Sequence, residues 1–84
     1  MKKNILVIAK RNKVEALRVA AGLTLVNDIV KVAVLGALDD SPAVREQLEA
    51  LDFGEVPHEM FDDSTQSTEA LARDLLSADV VYVI

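Results

Sequence analysis

The sequence contains no cysteine. That excludes a disulfide framework, a thiolate metal site and a cysteine nucleophile. It also agrees with a reducing compartment. Neither of the glycine-rich phosphate signatures, GxGxxG and GxxxxGK[ST], occurs, so no nucleotide site is signalled. Histidine occurs once, at position 58. The first apolar run, Ile5 to Ala9, follows Met1-Lys2-Lys3 and is far too short for a signal-peptide core or a membrane span. A cytoplasmic protein with no membrane association is the expectation.

The 84 residues are enough for one domain, spanning residues 1–84, with a modest core. Domains this small often gain stability by associating. Hydrophobic residues make up 51 % of the chain, too many for a disordered segment. The net charge of −5 argues against nucleic acid as a partner. The charge is also unevenly placed. Residues 1–31 hold seven Lys/Arg against two acids, and residues 32–84 hold two against twelve, so the halves carry +5 and −10. Such an imbalance is compensated either within the fold or between subunits.

Ile5–Ala9 is a continuous apolar run of the kind buried on both faces of a parallel sheet. Asn12 then caps a helix from about Lys13 to Val26, which Asn27-Asp28 ends. Its apolar residues, among them Val14, Leu17, Val19, Ala20, Leu23 and Leu25, cover more than one stripe. A helix packed only on its sheet needs one stripe, so a second apolar contact, such as another subunit, is expected. Gly22 in this helix costs about 1 kcal/mol relative to Ala, which suggests that something packs closely against it.

Ile29–Leu35 is a β-branched strand closed by Gly36. Ser41 as N-cap with Pro42 at the first helical position starts a helix to about Leu51, and Gly54 follows its end. Val56–Phe61 is the weakest strand, and Pro57 near its start suits an edge. Asp62 to Thr65 opens a third helix, with Asp63 and Gln66 spaced as a capping box. Leu71, Leu75 and Leu76 form that helix's apolar face, and Val80–Ile84 is the last strand. The order βαβαβαβ predicts an α/β domain with a mainly parallel four-stranded sheet and helices on both faces. No internal repeat, low-complexity tract or linker interrupts it.

Ligands bind open parallel sheets at the carboxyl ends of the strands. Lys10–Lys13, Gly36–Ser41 and Phe61–Thr65 should gather there. Lys10, Arg11, Asn12 and Lys13 open a helix and form the candidate ligand-binding group, suited to an anion; the alternative is a solvated loop balancing the acidic half. Asp39, Asp40, Asp62 and Asp63 suit Mg²⁺ if they converge. A phosphate-accepting receiver would carry acids after the first strand, where this chain has Lys10-Arg11. Acids also favour helix starts as caps and through the dipole, and that reading is preferred. His58 has no recognisable nucleophile partner, which favours a structural role over general-base work. Ser64, Thr65, Ser67 and Thr68 read as helix-start residues.

Three segments together carry a family resemblance: Ile5–Ala9, the helix Glu15-Ala16-Leu17-Arg18-Val19-Ala20-Ala21-Gly22-Leu23, and the strand Val30–Leu35 ending in Gly36. This opening resembles that of DsrE/DsrF/DsrH-like proteins. The ending Ala78-Asp79-Val80-Val81-Tyr82-Val83-Ile84 is similar to the short DsrH-type members. The resemblance implies a small flavodoxin-like α/β fold, homo- or hetero-oligomers, and sulfur-relay work in which a cysteine carries persulfide sulfur. This chain departs at that point, having no cysteine, so no catalytic residue carries over. The expectation is a non-enzymatic DsrE-like domain that acts by assembly, as an accessory subunit in sulfur-relay chemistry, with no cofactor and no metal. The alternative is a protein that binds a small anion on the strand-end rim.

Overall fold

The computed structural model describes residues 3–23, 29–62 and 64–84. The elements are β1 (Asn4–Ala9), α1 (Lys13–Leu23), β2 (Ile29–Leu35), α2 (Pro42–Phe53), β3 (His58–Phe61), α3 (Thr65–Ser77) and β4 (Val80–Val83). The strands form one all-parallel sheet in the order β3-β2-β1-β4. The apolar runs Ile5–Ala9 and Val30–Val34 therefore occupy the centre, as continuous apolar strands require. The short strands β3 and β4 are the edges. Pro57 sits immediately before β3, where its carbonyl accepts Val32 N–H and its missing N–H leaves no gap in the ladder. The architecture is a small α/β domain consistent with a flavodoxin-like fold, as the alternation of elements predicts.

Register separates the two faces of the sheet. Leu6 pairs with Lys31 and Val81, Ile8 with Ala33 and Val83, and Leu35 with Phe61, which places these residues on one face. Ile5, Val7, Val30, Val32, Val34, Val80 and Tyr82 lie on the other. The second face packs with Ala16, Leu17 and Ala20 of α1 and Val44 and Leu51 of α2 into the main core. Leu17 and Leu51 are completely buried there, each contributing about 1.5–3 kcal/mol of apolar transfer. Among the described residues the first face is covered by α3 and its C-cap, through Ala70, Leu71 and Ala78 over Leu6, Ile8, Ala33 and Phe61. No residue of α3 is itself buried. Among the described residues, twelve buried side chains make the α1/α2 core and four make the α3 core, so the two layers are unequal.

The sequence Asp-Asp-Ser occurs at 39–41 and at 62–64, and both copies start a helix in the same way. Ser41 Oγ accepts Val44 N–H and Ser64 Oγ accepts Ser67 N–H. The first Asp of each copy accepts the N–H of its capping serine, Asp39 from Ser41 at 3.0 Å and Asp62 from Ser64 at 2.8 Å. The cap of α3 is thus Ser64; the expected Asp63 lies outside the described residues. At the far end of α2, Val56 N–H donates to Leu51 O and Glu55 N–H to Asp52 O, the paired bonds of a Schellman motif. Glu55 takes the left-handed position, with φ 58°, where glycine is the usual occupant. Gly54 stands one residue too early to fill it.

Two expectations for α1 change. Its second apolar contact is α2 in the same chain, since Leu17 and Ala20 share a core with Val44 and Leu51. Among the described residues a Cβ on Gly22 would meet nothing within 4 Å, so none of them requires glycine there. Residues 24–28, which include the expected end of the helix, lie outside the described residues.

Candidate functional site

The basic loop leaves β1 at the carboxyl edge of the sheet. Arg11, Asn12 and Lys13 border an open hollow of about 550 Å³ together with Leu38, Asp39 and Val44 from the β2–α2 segment. Asn12 caps α1, its Oδ1 accepting Glu15 N–H at 3.2 Å. Lys13 Nζ crosses to donate to Ala37 O at 3.0 Å. Gly36 turns the chain there with φ 89°, and a Cβ at that position would stand 3.4 Å from Lys13 Nζ. The Asp39 carboxyl is held below the usual carboxylate range, first by the Ser41 side chain and backbone N–H and then by the charge of Lys13. Of the two cations bordering the hollow, Lys13 is thus already tied to the opposite wall and near an anion. Lys10 and Arg11 are exposed, and their backbone N–H groups both donate to Ile84 O, at 2.9 and 3.0 Å.

The sequence brings Lys10–Lys13 and Gly36–Ser41 to one rim as expected. The third segment borders a separate hollow, formed by Leu35, Gly36, Phe61 and Asp62. Asp63 lies outside the described residues, and the described acids Asp39, Asp40 and Asp62 do not pool their charge. Asp39 and Asp62 hold the capping serines, and Asp40 binds Arg45, with Asp40 Oδ1 2.8 Å from Arg45 Nε. Among the described residues no group of three or more His, Cys, Asp or Glu could hold a metal ion. His58 begins β3, at the opposite end of that strand from the rim. Three strand residues place it about 10 Å from the carboxyl edge, too far to share a proton with the rim carboxylates.

On the α3 face, Lys31 joins the two oppositely charged halves of the chain. Its Nζ lies 2.8 Å from Asp74 Oδ2 and 3.4 Å from Glu59 Oε2. Asp74 Oδ2 is buried and has no aligned hydrogen bond, so the contact is an ion pair. Asp74, with a smaller contribution from Glu59, holds the Lys31 ammonium above its ordinary value. Part of the +5/−10 imbalance is thus compensated inside the fold, by a residue the sequence reading did not single out. Its signal was a lysine in the middle of an otherwise apolar strand.

The sheet's β4 edge is only partly covered. Val81, Tyr82 and Val83 are 39 %, 43 % and 60 % exposed, although their β1 partners Leu6, Val7 and Ile8 are buried. β4 carries no charged side chain and no proline. Those are the usual devices that stop an edge strand from pairing. No helix among the described residues is long and apolar enough to cross a membrane. Compared with protein-family models, curated proteins and solved structures, the chain matches none of them.

Proposed function

We propose that this protein is a non-catalytic, cytoplasmic DsrE-like domain that works by assembling with itself or with a related small subunit. The observation that carries the reading is the uncovered apolar edge made by Val81, Tyr82 and Val83. Exposed apolar surface on a sheet edge is favourable to bury and presents unpaired backbone groups to a partner. The resemblance to DsrE-like proteins supplies the setting, an accessory subunit in sulfur-relay chemistry. The absence of cysteine fits a part that does not carry sulfur itself. The chain's acidity is unfavourable to nucleic acid as the partner. Sedimentation velocity at micromolar concentration tests the reading. An assembly, or a defined complex with a related subunit, supports it, and a monomer that forms neither overturns it.

A second reading rests on exposed Arg11, which borders the hollow at the start of α1, and on exposed Lys10 just before it in the chain. Helix starts and cations favour small anions. Titration with inorganic phosphate, followed by amide NMR shifts of residues 10–14 and 37–39, tests it. Saturable shifts that vanish when Lys10, Arg11 and Lys13 are replaced together by Ala support an anion site. Shifts that survive the replacement exclude it.

A further inference from the structure

Charged residues flank both ends of β4, and at the amino end Lys3 stands one residue before Asn4, to which Asp79 is bonded. Asp79 stands at its amino end, accepting Asn4 N–H through Oδ2 at 2.8 Å. The last turn of α3 ends beside it and adds the negative end of a helix dipole. At the other end, Lys10 and Arg11 are held against the strand because their N–H groups both bind Ile84 O. Helix α1 starts there and presents the positive end of its dipole. Between the ends, Val80 to Val83 are uncharged and Tyr82 is half exposed.

We infer that the occupant of this edge is a second copy of the chain, with the two β4 strands paired antiparallel about a two-fold axis into one eight-stranded sheet. The inference rests on the assembly reading above and names its partner and geometry. An isologous contact sets each patch against itself in reverse. Antiparallel β4 strands therefore bring Asp79 of each copy toward Lys10 and Arg11 of the other, at both ends of the interface. A parallel, like-to-like arrangement would set Asp79 against Asp79 and is not available to a two-fold. The other edge, β3, carries Glu59 and His58, and two such strands would bring charged groups to the seam. A two-fold centred on Val81 or on Tyr82 sets that residue opposite its own copy, and aromatic and β-branched cross-strand pairs favour such a seam.

Sedimentation velocity on four proteins tests the geometry: the unchanged chain, Tyr82→Lys, Asp79→Asn and Phe53→Lys. Tyr82→Lys places like charges at the seam and should weaken the dimer at least ~10-fold. Asp79→Asn keeps the oxygen that accepts Asn4 N–H and removes only the charge. It should weaken the dimer and reduce its sensitivity to salt, since fewer opposed charges remain to be screened. Phe53, 93 % exposed at the end of α2, is remote from β4 in the fold, and Phe53→Lys should leave the dimer intact. Far-ultraviolet circular dichroism confirms that each variant is folded. A dimer that persists unchanged in both folded Tyr82→Lys and Asp79→Asn overturns the β4 geometry but leaves assembly standing. An unchanged chain that is monomeric, alone and with a related subunit, overturns both.

Discussion

Ile8 and Val83 are partners across the β1–β4 ladder and share the α3 face of the sheet, yet Ile8 is 7 % exposed and Val83 60 %. The cover supplied by α3 ends between them. Truncation should register this difference directly. Ile8→Ala should cost about 2–5 kcal/mol, as buried aliphatic truncations do. Val83→Ala should stay within about 1 kcal/mol when the chain is monomeric. Urea unfolding at low protein concentration reads both values. If association covers β4, the cost of Val83→Ala should grow with protein concentration, because binding adds to apparent stability by mass action.

Lys31 offers a test of the ion pair beneath α3. Lys31→Met leaves the buried Oδ2 of Asp74 without its partner. The expected loss is about 1–3 kcal/mol. Adding Asp74→Leu to Lys31→Met should recover most of it, since well-packed apolar replacements of such pairs are often neutral or stabilising. Chemical denaturation of the two single variants and the double variant completes the cycle. A loss in the double variant equal to the sum of the two single losses would show that the pair contributes no coupling.

Two backbone positions should accept stabilising changes. Glu55 holds a left-handed conformation at the Schellman position, which costs an L-residue about 1–2 kcal/mol. Glu55→Gly should stabilise the protein by roughly 0.5–1 kcal/mol after the added freedom of the unfolded chain is subtracted. Gly22→Ala should also stabilise, by up to about 1 kcal/mol, because a Cβ there has open space. Thermal midpoints would rise in both variants. A fall for Gly22→Ala would mean that a neighbour does require glycine.

Acid should weaken the fold through the paired helix starts. Asp39 and Asp62 are both held below the usual carboxylate range, chiefly by the side chains and N–H groups of Ser41 and Ser64. A carboxyl whose value is depressed in the folded state stabilises folding above its unfolded value, near 4, and loses that contribution as pH falls through the depressed value. The expected decline therefore begins near pH 4 and continues below it. Replacing both residues by Asn should flatten that part of the stability curve, as measured by urea midpoints at successive pH values.

The fold was largely legible because its signals are local and mutually consistent. Continuous apolar runs gave the two central strands, Pro57 marked an edge, and Ser41-Pro42 fixed the start of α2. The misses arise where tertiary context decides. The wide apolar surface of α1 has one appearance whether its second neighbour is α2 or another chain, and only the packing of Leu17 against α2 resolves it. Gly54 does follow the end of α2 as read, but the left-handed residue after it, Glu55, is set by the length of the last turn. The rim was readable as a place, since parallel strands must deliver Lys10–Lys13 and Gly36–Ser41 to one edge. Its internal pairing was not, because Lys13 meets Ala37 across 24 residues of sequence. The exposure of β4 was hidden for a similar reason. Val81 and Val83 read as apolar as Leu6 and Ile8, and only the span of α3 separates buried from bare.

Native mass spectrometry of the gently purified protein tests the central claim of assembly most directly. The account predicts a population at twice the chain's mass that grows with protein concentration across the micromolar range. Only the single-chain mass over that range, with no related subunit attached, would contradict it.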